Sequence, residues 1–335
     1  MARILKVMVR KVINAAITIF GIICLNYALL RLMPGDPALS LTPRDPKYQG
    51  LAEYNRELFG FDKPPWEQFV IYLQRTVTLD WGISYRLGLP VFDVLMRDLG
   101  WTLVLVGTST VITIVIGMLV GSIAAQKRGK PFDLVSTATG IFLYGMPIFW
   151  LGFLLLATFE KGSIVGHYFT WWPALPSQGY YDDMLGQWAW DGAHLTSAAQ
   201  HLILPALTLT LGTLAGISLV MRSSLIDVMT EDFVTTAKAK GLSDRQILRR
   251  HILPNGLPPM VALIALDLAF VIGGAYQVEV VFNYYGIGWE TIQAIDNLDF
   301  PLLQFIIVVG GVAIVLANLV SDFILLLLDP RIKVS

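Results

Sequence analysis

Six runs of apolar residues, at roughly 13–32, 101–125, 134–159, 202–221, 260–282 and 302–328, constrain this chain more than any other feature. Each is near or above the ~20 residues that a helix needs to cross ~30 Å of hydrocarbon. The composition agrees: 55% of the 335 residues are hydrophobic, 15% are charged, and the mean hydropathy is +0.62. Soluble domains carry about 25% charged residues. The expected fold class is therefore an all-α integral membrane protein with six transmembrane helices.

The positive charges set the expected orientation. Arg3, Lys6, Arg10 and Lys11 precede the first run, and Lys127, Arg128 and Lys130 separate the second from the third. Arg222, Lys238, Lys240, Arg245, Arg249 and Arg250 separate the fourth from the fifth, while Arg331 and Lys333 follow the sixth. These are 15 of the 24 Lys and Arg residues, all on one side of a six-span layout. Eight of the others fall in or beside a long loop that topology rules discount, and the last is Lys161. The positive-inside rule then places both termini in the cytoplasm. The first run is longer than a usual signal-peptide core and no small-x-small cleavage site follows, so it reads as a retained helix. Cys24, the single cysteine, lies within it and excludes a disulfide framework.

The chain divides into residues 1–32 (basic start and first helix), 33–100 (an external segment) and 101–335 (the core with five further helices). Within the external segment, 51–61 and 66–78 read as short amphipathic helices. An external insert at 160–200 holds Tyr168, Trp171, Trp172, Tyr180, Tyr181, Trp188 and Trp190. Such residues commonly settle at headgroup level; a docking surface is the alternative. Gly117 with Gly121, and Gly212 with Gly216, clear two helix faces for close backbone approach. Pro147 and Pro205 predict a kink or a helix start.

The segment 222–257 is the most specific. Apolar residues at helical spacing (Leu225, Val228, Phe233, Ala237) predict a helix over 225–240, and Gly241 then takes the left-handed conformation that ends it. Ser243 and Gln246 form a capping box that starts a second helix over 244–251, which Pro254 ends. A loop that only fixes topology needs its charge but not this series of caps. A rigid basic knob is expected, docking against a partner.

These residues resemble the coupling motif of the ABC-transporter permeases of the dipeptide/oligopeptide/nickel family, Asp-Tyr-x-x-Thr-Ala-x-Ala-Lys-Gly-Leu. Asp232, Thr236, Ala237, Ala239, Lys240, Gly241 and Leu242 match, and Phe233 replaces Tyr. At the places of the Glu-Ala-Ala of the broader importer motif stand Thr235, Thr236 and Ala237. The likeness runs along the chain through Arg31-Leu32-Met33-Pro34-Gly35-Asp36-Pro37, Phe61-Asp62-Lys63-Pro64 and Leu79-Asp80-Trp81-Gly82-Ile83-Ser84. It continues through Leu89-Pro90-Val91, Gly145-Met146-Pro147-Ile148-Phe149-Trp150, Leu204-Pro205-Ala206, Glu279-Val280-Val281-Phe282 and Gly286-Ile287-Gly288. Asn318-Leu319 with Asp322, then Asp329-Pro330-Arg331, resemble the family's C-terminal end.

The resemblance implies a type I ABC importer permease fold and a place in the cell membrane. It also implies a second, homologous permease, two cytoplasmic ATPases and an external substrate-binding protein as partners. Short peptides are the implied substrates, with oligosaccharides or nickel as alternatives. The chain has no phosphate-binding loop, since Gly129-Lys130 is followed by Pro131, so ATP and Mg belong to the partner ATPases and no cofactor is expected here. The ATPase-coupling residues are then Asp232, Phe233, Thr236, Ala237, Ala239, Lys240, Gly241, Leu242, Arg245 and Arg249. Asp267, Gln277 and Glu279 are candidates for the translocation path or its gate, because ionisable groups in membrane helices face the protein interior or water. Asp322 with Asn318 reads as a pin between helices, and Asp329 with Arg331 as a boundary ion pair. His167, His194, His201 and His251 show no metal-ligand spacing. No catalytic constellation, nucleic-acid motif or inverted repeat argues for an enzyme, a nucleic-acid partner or a secondary transporter.

Overall fold

The computed structural model describes residues 2–31, 50, 53–54, 56–57, 63–84, 86–160, 163–168, 174–261, 263–264, 275–297 and 299–328. The helix expected over 51–61 lies largely outside these residues, as do Trp171, Trp172, Asp267, Asp329 and Arg331. The described chain is helical apart from isolated bridges. The longer elements are α1 (Ala2–Arg31), α2 (Pro65–Thr78), α3 (Val91–Gln126), α4 (Pro131–Tyr144), α5 (Ile148–Phe159) and α6 (Gly192–Met229). They are followed by α7 (Asp232–Ala239), α8 (Asp244–Ile247), α9 (Leu253–Gly256), α10 (Tyr276–Val281), α11 (Ile287–Asp296) and α12 (Phe300–Leu328).

Among the described residues four helices are long and apolar enough to cross a membrane, or five if α4 and α5 form one span. In the fifth apolar run, 260–282, residues 262 and 265–274 lie outside the described residues. The expected helix over 134–159 is broken rather than kinked: α4 and α5 meet at 103° across Gly145-Met146-Pro147. Pro147 supplies no N–H and disfavours helical backbone at Met146, and here α4 ends at Tyr144 and α5 starts after Pro147. Pro205, by contrast, neither starts nor ends a helix; it lies buried inside α6, thirteen residues past Gly192.

The packing defines which way each helix runs. Thr113 hydrogen-bonds Thr213 at 3.1 Å, and a Cβ on Gly117 would come within 2.6 Å of Ile217. A Cβ on Gly121 would meet the Ser218 carbonyl oxygen at 2.4 Å. Residue numbers rise together along the two helices, so α3 and α6 lie parallel. Gly117 and Gly121 thus do what their spacing predicts, admitting the neighbouring backbone. Gly212 packs on Ile148, while Gly216 has open space beside it. The α4–α5 pair runs the other way along α6, with Asp133 at Arg222, Gly140 at Ala215 and Gly152 at Thr208. A chain that leaves α3 at one end and enters α6 at the other needs such a return.

α1 and α12 are antiparallel. Lys11 pairs with Asp322 at 2.9 Å, Gly311 seats Ile22, and Asn26 donates to the Gln304 carbonyl at 3.0 Å. Asp322 is thereby a pin between helices, held by a lysine that topology counting alone had used. The opposite end is capped by α2, the turn 79–90, α11 and the first turns of α3 and α12. Tyr72, Trp81, Val91, Leu95, Ile287, Leu302 and Phe305 share one core there, with the Trp81 and Phe305 rings stacked 4.7 Å apart. Arg86 grips the buried Glu290 carboxylate, and Ser84 donates to Asp299.

The aromatic insert folds onto itself. Trp101 stacks on Tyr180 at 4.3 Å, and Trp188 stands edge-on to Trp101 at 4.9 Å. Tyr181 and Trp188 also flank His194. These rings form an interlocked cluster, whereas Tyr168 and Trp190 are exposed.

Candidate coupling knob and the Glu279 junction

The knob begins where α6 ends. A continuous helix over 225–240 does not form: α6 ends at Met229, the Thr230 hydroxyl bonds the Asp227 carbonyl at 2.7 Å, and Glu231 is extended. The chain therefore bends before α7 starts at Asp232, which carries a negative charge into its first turn. At the other end Gly241 has φ +79, its N–H bonds the Lys238 carbonyl at 2.9 Å, and the Leu242 N–H bonds Ala237 at 3.3 Å. This pairing is the Schellman arrangement. Ser243 and Gln246 then close the capping box: the Gln246 N–H reaches Ser243 Oγ at 3.4 Å and the Ser243 N–H reaches Gln246 Oε1 at 3.0 Å.

The second helix differs from its expected form. α8 passes into a π-helical turn, Leu248–Ile252, and the chain stays helical through Pro254 to Gly256. Pro254 does not end it, because it stands in the first turn of α9, where its missing N–H is not needed. The return is tied to α6 by Ser224, whose hydroxyl donates to the Gly256 carbonyl at 2.8 Å. Gly256 leaves room at that contact, since a Cβ there would lie 2.5 Å from Leu225 Cδ2 and push that side chain aside.

Two faces result. Val234, Ala237, Ile247, Ile252 and Met260 are buried in one cluster with Ala125 of α3 and Ile217, Met221 and Leu225 of α6. Asp232, Phe233, Thr236, Lys238, Ala239, Lys240, Gly241, Arg245, Arg249 and Arg250 are exposed, and Leu242 is half-buried. Of the matched motif, Ala237 therefore serves the fold, Leu242 packs partly against the same cluster, and the others stand at the surface. Phe233 leaves 39% of itself uncovered beside these basic groups.

Arg222 adds a second brace at this end. Its guanidinium holds both oxygens of Asp133, at 2.5 and 2.8 Å, and Asp133 also accepts the Gly129 N–H at 2.8 Å. The turn between α3 and α4 is thus fixed to α6. Sequence reading counted Arg222 only as a charge, and no local pattern marks Asp133 as its partner.

At the far end Glu279 is fully buried. Thr102 of α3 donates to its Oε1 at 2.8 Å, and the Trp289 N–H of α11 donates to its Oε2 at 3.0 Å. Thr102 in turn accepts the Ile287 N–H at 2.9 Å. Glu279 and Thr102 together satisfy the first free amides of α11, the task of a capping residue performed from two other elements. Gly286 makes room for them, since a Cβ there would stand 2.4 Å from Thr102 Oγ1. Gln277 points elsewhere and donates to the Tyr276 hydroxyl at 3.2 Å. Among the described residues no group of three metal-binding side chains occurs.

Comparison with known proteins matches this architecture. Residues 117–334 match the family described as "Binding-protein-dependent transport system inner membrane component", and residues 4–106 match its N-terminal companion. The dipeptide transport system permease protein DppB of Escherichia coli (strain K12) is 31% identical, over 94% of this chain and 95% of that protein. The di/tripeptide transport system permease protein DppB of Pseudomonas aeruginosa (strain UCBPP-PA14) is 33% identical over 94% and 95%. The oligopeptide transport system permease protein AppB of Bacillus subtilis (strain 168) is 28% identical over 97% and 98%. In fold, 70% of the chain superposes on 96% of a chain of the inward-facing MetNI methionine ABC transporter, with TM-score 0.53 at 18% identity. The chain belongs to the family of binding-protein-dependent transport system inner membrane components, the ABC importer permeases whose motif series it carries.

Proposed function

We propose that this permease forms half of a path for short peptides delivered by an external substrate-binding protein, and that the knob is its seat for an ATPase. One observation carries the coupling assignment: the buried side of the knob belongs to the same apolar cluster as α3 and α6, while its outer side keeps Phe233 and five basic groups uncovered. A push on the exposed face is then transmitted to two membrane helices through packed side chains, which are poorly compressible. Asp232, Phe233, Thr236, Ala239, Lys240, Gly241, Leu242, Arg245 and Arg249 are the contact residues in this reading, and Ala237 supports them from beneath.

The remainder of the assembly follows the same reading. A homologous permease completes the path, two ATPases bind ATP and Mg, both termini and the knob lie in the cytoplasm, and six helices cross the membrane. Asp267 is assigned to the path. Peptides are favoured as cargo by the relatives named above, which are dipeptide, di/tripeptide and oligopeptide permeases.

The test is ATP-driven peptide uptake by the reconstituted complex carrying Phe233→Asp or Arg249→Glu. Loss of uptake with the permease still folded supports the assignment. Wild-type uptake by a normally assembled complex removes it.

A further inference from the structure

α2 carries an apolar strip along its exposed side. The helix sets Trp66 (67% exposed), Val70 (54%) and Val77 (79%) there, flanked by exposed Gln74 and Thr78 and half-buried Glu67. Its inward residues are Gln68, Tyr72 and Thr76, each less than one-tenth exposed. An element between core and water turns its polar side outward; this one turns Trp66, Val70 and Val77 outward while keeping Gln68 and Thr76 inside.

The hidden groups are also paired. Gln68 Nε2 donates to the Lys63 carbonyl at 2.7 Å, and Thr76 Oγ1 to the Tyr72 carbonyl at 2.7 Å. The Tyr72 hydroxyl accepts from Asn26 at 3.0 Å. These inward groups are thus satisfied within the protein, as a helix bordering hydrocarbon requires.

The depth of α2 points the same way. The Phe69 ring packs edge-on against Phe20 and Tyr27 of α1, with centroids 6.4 and 5.1 Å away, and the Tyr27 hydroxyl donates to the Pro65 carbonyl at 2.7 Å. The apolar span of α1 runs Lys6–Leu29, so Phe20 lies about 13 Å inside its end at 1.5 Å per residue. Tyr72 meets Phe305, in the second turn of α12. α2 therefore crosses α1 and α12 below the ends of their membrane-spanning segments. Phe20, Leu25 and Leu29 of α1, at the same level, are themselves more than half exposed, so the uncovered face of α2 continues a surface made for lipid.

We propose that α2 is embedded in the leaflet at the cap end, with its Trp66–Val70–Val77 face covered by phospholipid acyl chains. Trp66 then sits beside Pro64–Pro65 at the headgroup boundary, where its ring is favoured. The helix acts as a lateral float that holds the cap against the bilayer.

The test uses the assembled transporter in phospholipid nanodiscs. With Cys24→Ser as background, spin labels are placed by Trp66→Cys, Val70→Cys and Val77→Cys, with Met184→Cys as a water-exposed reference. The expected result is frequent collision with oxygen and at least fivefold less collision with a water-soluble nickel chelate than at 184. Nickel collision equal to that at 184 overturns the proposal, because the face is then in water. Low collision with both overturns it too, because protein then covers the face, whether residues 32–62 or another subunit. The unsubstituted complex supplies a second reading: a diazirine-bearing acyl chain should tag 66–77 as it tags the exposed face of α1, and absence of tags there counts against lipid.

Discussion

Arg222 and Asp133, 89 residues apart in sequence, form a two-pronged ion pair that binds the turn before α4 to the last third of α6. Asp133 is almost wholly shielded, and Arg222 is about a quarter exposed. Removing one partner leaves the other charge without compensation, a loss of about 3 kcal/mol for a shielded pair. Arg222→Ala and Asp133→Ala are each expected to lower the thermal midpoint of the purified permease by several degrees. The double variant should lose less than the two losses added; strict additivity would show that the pair does not couple.

Ala237 and Ala239 are expected to separate folding from docking. Ala237→Leu overpacks the cluster shared with α3 and α6 and should cost about 1–3 kcal/mol of stability. Ala239→Leu adds atoms at an exposed place and should leave the thermal midpoint unchanged while weakening co-purification with the ATPases. Equal midpoints for the two variants would contradict the packing.

Gly241 has open space around its missing Cβ, so only its φ of +79 resists substitution. Gly241→Ala should cost about 1 kcal/mol and Gly241→Asn less, since Asn tolerates the left-handed region. Thermal melts of the two variants check the order, and a larger loss for Asn would mean that contact, not backbone, sets the requirement.

The Glu279 junction predicts a graded series. Glu279→Ala strands the Thr102 hydroxyl and the Trp289 N–H, at about 1–3 kcal/mol for each group left unpaired, whereas Glu279→Gln keeps an acceptor and should lose less. Gly288→Ala places a Cβ 2.5 Å from the Tyr276 backbone and should be damaging, while Gly107→Ala, with nothing within 4 Å, should be neutral. Denaturation midpoints in one detergent rank all four.

Burial pushes the Glu290 carboxyl up from 4.5 to about 7, against the pull of Arg86, with Asp98 adding to the rise and Arg97 opposing it. The folded protein then holds a proton that the unfolded chain releases near 4.5. The stability tied to Glu290 is complete below that pH and declines as pH climbs to about 7, after which it is flat. Glu290→Gln has no proton to lose, so its thermal midpoint should change less between pH 4.5 and 7 than that of the wild type. Parallel curves would show that folding does not raise the Glu290 carboxyl.

What the sequence disclosed depended on how local each signal was. Gly241, Ser243 and Gln246 act on backbone within four residues, so their turn and capping box are readable from order alone. The Gly117 and Gly121 spacing likewise announced a close helix contact without naming α6 as its partner. The break at Thr230 and Glu231 was not readable, because a helix-compatible pattern runs across it. The continuation through Pro254 depends on a π-helical turn that no residue type signals. Partners such as Thr102 for Glu279, 177 residues away, exist only once α3, α10 and α11 have met.

Pro205 sits inside α6 with the knob at the end of the same helix. Its ring denies the His201 carbonyl an intrahelical donor, which weakens the rod at this point. From there to Met229 the helix extends about 36 Å at 1.5 Å per residue, so a rocking of about 5° around Pro205 sweeps its tip by about 3 Å. A fulcrum placed this far from the driven tip turns a displacement no larger than one hydrogen bond into a change of angle deep in the bundle.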